Sequence, residues 1–390
     1  MRSVRPLLAL TGTAAVLALT VTACGPGDDK ASDKPAASSP ADTGGADGGD
    51  DSVIPSDLAD KLKKHGLDPE KWKNGEWKNW DKDKWLREAK DFVNPVIEGL
   101  WKPERMKEAK DPSTTMSAGT AAGVPGASDS EPRPVNAVPE KTPYSAYSAA
   151  VGKVFFDSPE GSMVCSGTVV KDPKNPGRSN LVWTAGHCVH AGGAGGWYRN
   201  IAFVPSYNNK GKSEADLNNA APEEIAPYGV FWANWASTSG NWIQDGGPAD
   251  GKGVPYDYAV LSVKPERGSK SLEETVGIAM DVEFNAPDVR QIGAMGAWGY
   301  PAAPPYNGLL MHKCVDRPGR LSISSDTPSM YRIGCTMTGG SSGGGWFMKR
   351  ADGKLALVSN TSIGKRPNGW LAGPQLGSGA QQIYSAMGDK

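Results

Sequence analysis

Leu181-Val182-Trp183-Thr184-Ala185-Gly186-His187-Cys188-Val189 starts as an apolar strand and breaks at Ala-Gly, leaving a histidine directly before a cysteine. Cys188 can tie back to Cys165 in the upstream run Val164-Cys165-Ser166-Gly167-Thr168-Val169-Val170. A disulfide there would pin the backbone of His187 to a neighbouring strand. Downstream, Pro255-Tyr256-Asp257-Tyr258-Ala259-Val260-Leu261 places an acid at the mouth of a second apolar strand. Further on, Gly339-Gly340-Ser341-Ser342-Gly343-Gly344-Gly345-Trp346-Phe347 surrounds two serines with glycine. Such a stretch lets the backbone turn tightly and point two amide N–H groups at one spot.

Around these segments, short apolar or β-branched runs recur between Gly, Pro and Asn turns. They are Gly152–Phe156, Cys165–Val170, Leu181–Thr184, Ile201–Val204, Tyr258–Val263, Val289–Met295, Arg320–Ser324, Tyr331–Cys335, Gly344–Met348 and Leu355–Asn360. No helical pattern of comparable length competes, so residues 144–390 are expected to form an all-β domain. A histidine beside a cysteine can also be a metal pair. The other histidines are His65, His190 and His312, and no further His/Cys cluster has ligand spacing, so no metal is expected.

Together, Thr184-Ala185-Gly186-His187-Cys188, Asp257-Tyr258-Ala259-Val260-Leu261 and Gly340-Ser341-Ser342-Gly343-Gly344 resemble the chymotrypsin-like (trypsin-like) serine proteases, in residue type and in the chain order His, Asp, Ser. The resemblance covers about residues 145–385 and implies two six-stranded β-barrels with the site in the cleft between them. It assigns His187 as base, Asp257 as the acid that orients it and Ser342 as nucleophile. Ser341 competes for that role, but the family spacing of a serine followed by two glycines selects Ser342. The amides of Gly340 and Ser342 would form the oxyanion hole, and no cofactor is implied. The stretch Gly299-Tyr300-Pro301-Ala302-Ala303-Pro304-Pro305-Tyr306-Asn307-Gly308 is similar to the bacterial glutamyl-endopeptidase branch. In that reading Cys314 and Cys335 form a second disulfide.

Several residues depart from the family pattern. Ser341 stands where most relatives carry an aspartate, so an ion-pair switch to a new N-terminus cannot operate. Gly345 replaces the usual proline. Leu357-Val358-Ser359-Asn360-Thr361 holds no histidine, Lys or Arg to meet a substrate carboxylate, and Thr336 offers no negative charge to a basic one. A pocket involving Thr336, Ser359, Asn360 and Thr361 is therefore expected to prefer a neutral or small P1 side chain. The Gly340–Gly344 motif also fits an α/β-hydrolase, but the chain order is reversed and βα alternation is missing. A catalytically weak homologue that binds envelope or protein partners is the main alternative.

The upstream residues divide by composition. Residues 1–23 have Arg2 and Arg5 before an uncharged apolar stretch, the form of an export signal. Val21-Thr22-Ala23-Cys24 resembles a bacterial lipoprotein signal, which makes Cys24 the lipidated residue and membrane anchor of an extracytoplasmic protein. Lipidation leaves four of the five cysteines, an even number, in an oxidising compartment. Residues 24–55 form an acidic tether too poor in apolar side chains to fold. Residues 56–110 are rich in charge and carry Trp72, Trp77, Trp80, Trp85 and Trp101, with a helix expected over 81–93. Three roles compete for this segment: an element packed on the main domain or acting as a propeptide, a spacer, and a carbohydrate-binding strip. Residues 111–143 read as a second flexible linker open to proteolysis. The net charge of −1 and the interleaving of acids with the Lys-Trp pairs exclude a nucleic-acid field. The expected partners are a peptide or protein substrate and the membrane.

Overall fold

Strands buried on both faces lose the polar alternation of a half-solvated sheet and read as continuous apolar runs. Val151–Ser158 is such a strand, with every residue buried. Val154 and Phe156 point into one core, while Val151 and Phe155 point into another, as the period of two requires. The computed structural model describes residues 69–78, 80, 91–93, 95–112, 123–247, 251–365, 369–388 and 390. The expected signal, Cys24, the acidic tether and Trp85 lie outside these residues.

The first half closes on itself. Phe231–Thr238, Arg199–Pro205, Val151–Ser158, Gly161–Val170, Leu181–Thr184 and Ala259–Pro265 pair in that order, and the last pairs back to the first. Its interior holds Val154, Phe156, Val169, Val182, Ile201, Phe203 and Leu261. The second half is built from two facing sheets. One runs Val138–Pro139, His312–Asp316, Met295–Gly299, Gly345–Lys349, Leu355–Asn360 and Asp281–Val282; the other runs Gly319–Leu321, Met330–Gly334, Trp370–Pro374 and Ile363–Gly364. Ala297, Ile333, Trp346, Val358 and the Cys314–Cys335 disulfide fill the space between them. The fold is that of a two-barrel chymotrypsin-like protease domain, mostly β, ending in the helix Ser378–Met387, whose Ala380, Tyr384 and Met387 pack against the first barrel and its neighbours.

Three expectations change. Val289–Met295 is not a strand: Asp288 accepts a hydrogen bond from the N–H of Arg290 and opens a short 3₁₀ turn, and the strand begins only at Met295. Of the expected helix over 81–93, residues 81–90 lie outside the described residues, and Asp91–Val93 is extended: it pairs antiparallel with Ser237–Trp235 and extends the sheet at the edge of Phe231–Thr238. That strand was itself missed, since Asn234 interrupts its apolar run where the register shifts between Ala233 and Trp235.

The third change concerns the linker. Residues 124–140 are held along the second half of the domain rather than hanging free. Val124 N–H donates to Ser322 O at 2.8 Å, and Thr336 N–H donates to Val135 O at 2.9 Å. The Asp129 carboxylate receives Arg320, and its acidity is raised by that guanidinium. Glu140 is buried between Trp298 Nε1 (2.5 Å) and Lys313 Nζ (3.0 Å). Compositional polarity hid this because the segment bonds mainly through its backbone. The described part of the tryptophan-rich segment is likewise packed on the first barrel: Trp72, Trp77 and Trp101 are buried, and Arg199 lies beneath the rings of Trp72 and Trp80.

Trp183 joins the halves. Its Nε1 donates to Asn360 Oδ1 at 3.0 Å, and Asn360 Nδ2 donates to Asp257 O at 3.0 Å. Trp183→Phe keeps much of the apolar contact but leaves a buried amide oxygen unpaired. It should lower unfolding stability by about 1–3 kcal/mol, read from the urea midpoint at constant m-value.

Candidate active site

His187 sits in the one-turn 3₁₀ helix Gly186–Cys188, directly after the strand Leu181–Thr184. The Cys165–Cys188 disulfide ties that turn to the strand Gly161–Val170. Asp257 is 1% exposed and grips His187 twice: Oδ1 accepts the His187 backbone N–H, and Oδ2 lies 2.7 Å from Nδ1. A proton on Nδ1 directed at the carboxylate leaves Nε2 as the basic nitrogen. The Ser362 hydroxyl donates to the same Oδ2 at 2.5 Å. Ser362 went unnoticed in the sequence because its neighbours Thr361 and Ile363 form no motif. Both sulfurs near His187 belong to the disulfide, so this cluster offers no thiolate pair to a metal.

The serine loop depends on two left-handed glycines. Gly340 has φ +93°, and a Cβ there would come within 2.7 Å of Tyr300 O; Gly343 has φ +77° and faces Ala185 N at 2.8 Å. Gly339 O accepts the N–H groups of Ala302 (2.6 Å) and Ala303 (3.2 Å), and Ser341 O accepts that of Gly344 (3.0 Å). In a trans peptide the N–H points opposite the carbonyl, so these bonds turn the N–H groups of Gly340 and Ser342 the other way. Neither donates to any described residue, which leaves both available to an oxyanion. Ser341 Oγ is consumed by Thr338 O at 2.6 Å, whereas Ser342 Oγ makes no hydrogen bond among the described residues. His187 Nε2 is buried and also unpartnered, so the serine–histidine contact is not closed.

No family model and no curated protein match the chain. Solved structures do. The thermostable serine protease AL20 from an extremophilic microorganism is 34% identical, with a TM-score of 0.51, covering 63% of this chain and 99% of that one. The protease Anisep from Arthrobacter nicotinovorans is 29% identical, with a TM-score of 0.50, covering 62% of this chain and 96% of that one. The chain belongs to the chymotrypsin-like serine proteases. A Glu endopeptidase structure also aligns, at 14% identity and a TM-score of 0.46, over 68% of this chain and 100% of that one.

In this protease the pocket beside Ser342 is lined by Met337, Thr338, Ser341, Thr361, Ser362 and Ile363, among others. Its cavity volume is about 30 Å³, a small recess. Of the expected pocket residues only Thr361 lines it. Thr336 Oγ1 turns away to accept the N–H of Ala137 at 2.9 Å. Ser359 Oγ donates to Pro374 O, and Asn360 supports Asp257. Ser359 and Asn360 are successive residues of the strand Leu355–Asn360 and point to opposite faces, so they could not both face one cavity.

Two supports of the serine loop escaped the motif reading. Ser166 N–H donates to Ser342 O (2.7 Å), its hydroxyl donates to Gly340 O (2.9 Å), and it accepts Tyr300 N–H (2.9 Å). Lys153 Nζ donates to Gly308 O at 3.0 Å and lies 4.4 Å from the centre of the Tyr207 ring. Gly308 in turn donates to Pro301 O, next to the residues that grip Gly339. Both supports lie on the strands that flank the site, and a serine after Cys165 was the only visible sign of either.

Ser166→Ala should lower kcat about tenfold with KM little changed, about 1.4 kcal/mol of transition-state positioning, checked by steady-state kinetics on a peptide substrate. Burial pulls Lys153 down to about 7. Between about pH 7 and the unfolded lysine value near ~10.4, the unfolded chain holds a proton that the folded chain has released, so this residue makes stability rise with pH across that window. Lys153→Met should flatten that rise and gain most stability below pH 7, as urea midpoints at pH 6 and pH 9 would read.

Proposed function

We propose that this protease is a serine endopeptidase acting through His187, Asp257 and Ser342. The observation that carries the reading is the double grip of buried Asp257 on His187, which engages Nδ1 and leaves the buried Nε2 without a partner. In the reaction His187 Nε2 takes the proton of Ser342 Oγ as the oxygen attacks the scissile carbonyl. The N–H groups of Gly340 and Ser342 receive the developing oxyanion. His187 then hands the proton to the leaving amine, giving an acyl-enzyme and the first product. Water, deprotonated by the same nitrogen, attacks the ester and frees Ser342. The open contact between Nε2 and Ser342 must tighten on substrate binding, as catalytic hydrogen bonds often do.

The uncharged hydroxyls of Thr338, Thr361 and Ser362 around the pocket support a small or neutral P1 side chain. The leader residues and Cys24 support export and lipid anchoring outside the cytoplasm, and cleavage within residues 111–143 would release a soluble protease. The narrow pocket and the open serine–histidine contact favour one second reading, a weakly active homologue that serves as an envelope or protein-binding lipoprotein.

A fluorophosphonate probe separates the two. Labelling of the full chain at Ser342, abolished in Ser342→Ala and reduced by on the order of 10⁴-fold in rate in Asp257→Asn, is the expected result. Failure to label both in the intact chain and after cleavage within residues 111–143 would sink the endopeptidase reading.

A further inference from the structure

Beyond the helix Pro103–Glu108 the chain makes a close approach to the serine loop. Ala109 is extended, with φ −65° and ψ 129°, and Lys110 joins the strand Gly161–Val170 as a parallel bridge opposite Met163. Lys110 N–H donates to Ser162 O at 3.0 Å, and Val164 N–H donates to Lys110 O at 2.8 Å. Two residues beyond Val164, Ser166 holds the carbonyls of Gly340 and Ser342. Asp111 then meets the loop itself: a Cβ on Gly339 would lie 2.7 Å from Asp111 Cγ and 3.0 Å from its Cβ. The carboxylate therefore rests against the residue whose peptide carries the Gly340 oxyanion donor.

This approach is firmly anchored. Trp101 Nε1 donates to Asn200 O at 2.7 Å, and Arg105 pairs with buried Asp157 at 2.6 Å while stacking 4.3 Å from the Trp101 ring. Met106 is buried in the same cluster, and Lys107 Nζ reaches Leu217 O.

We propose that residues 109–111 form a plug acting in cis, which excludes substrate from the edge beside Ser342 until the anchored stretch 101–111 is displaced. The inference rests on the protease reading above. An open strand edge is what an extended peptide pairs with, and here Lys110 already uses its Ser162 and Val164 groups. Asp111 adds a negative charge close to where an oxyanion must develop. Because the plug is tethered, it competes at the high effective concentration of an intramolecular ligand. A competitor of this kind raises the apparent KM by the reciprocal of the open fraction and leaves kcat at saturation unchanged.

The test uses the full chain with Lys110→Pro and Asp111→Ala, separately and together. Proline removes the donor to Ser162, and extended Ala109 already has the backbone that precedes a proline. With fluorescein-labelled casein as substrate, the double variant should lower KM about tenfold or more while kcat stays within about twofold. The same pair of changes in a Ser342→Ala background should tighten binding of that casein by a similar factor, read by fluorescence anisotropy. Unchanged or weaker casein binding in the Ser342→Ala background overturns the plug, whatever the chain does catalytically. A fall in kcat without a fall in KM also overturns it, since that marks a structural rather than a competing role. Loss of the protease reading shows separately, as absent fluorophosphonate labelling in every chain that keeps Ser342.

Discussion

Burying a carboxylate in a protein interior is costly unless donors surround it, and Asp257 is buried in full view of that cost. Its donors come from both halves of the molecule: His187 from the first barrel, Ser362 from the second half, with Asn360 fixing its backbone carbonyl. The docking of the halves is thus constrained at the catalytic candidate itself. A shift of one half by an ångström would strip Oδ2 of the Ser362 hydroxyl and leave His187 as its only side-chain partner. The site and the interface between the halves share one set of hydrogen bonds, and Trp183 extends that set into the apolar contact through Asn360.

The second constraint is the orientation of peptide planes. An oxyanion hole made of backbone N–H groups needs each partner carbonyl held in the opposite direction. Ala302, Ala303 and Gly344 do this for the planes of Gly340 and Ser342, and Ser166 fixes the remaining two carbonyls of the loop. The stretch 300–308 acts as scaffold for the serine loop, and Lys153 closes it at Gly308. A lysine is an expensive closure in an apolar site, and burial lowers its pKa accordingly. The aromatic faces of Phe155 and Tyr207 at 5.1 and 4.4 Å offset part of the desolvation.

What could be read from the chain followed the length scale of the interaction. Thr184–Cys188, Asp257–Leu261 and Gly340–Gly344 are contiguous motifs, and a strand such as Leu181–Thr184 advertises itself by being apolar on both faces. Ser166, Ser362 and Lys153 act through contacts spanning 100 to 174 positions of sequence, such as Ser166 to Gly340 and Ser362 to Asp257 at separations of 174 and 105. No local pattern marks them. The pocket is hard to read for a related reason: Ser359 and Asn360 are both polar, but which face of the strand Leu355–Asn360 each occupies depends on register. Phe231–Thr238 was hidden by a bulge at Asn234 that breaks the run without ending the strand.

The least legible feature was the start of the folded domain. Composition puts the boundary near residue 144, where Gly, Ser and Pro give way to apolar runs. Hydrogen bonding puts it earlier. Val138–Pro139 is a strand of the second half, Glu140 supplies two side-chain partners there, and Ala137 and Val135 satisfy Thr336. A cut at 143 would leave His312–Asp316 with an exposed edge, Trp298 without its acceptor and Thr336 without its Val135 and Ala137 partners. A cut before residue 123 would leave all of these intact. Polar, proline-rich sequence is therefore no sign of a dispensable linker when its backbone groups complete a sheet, and the second half is finished only by residues that lie before the first barrel in the chain.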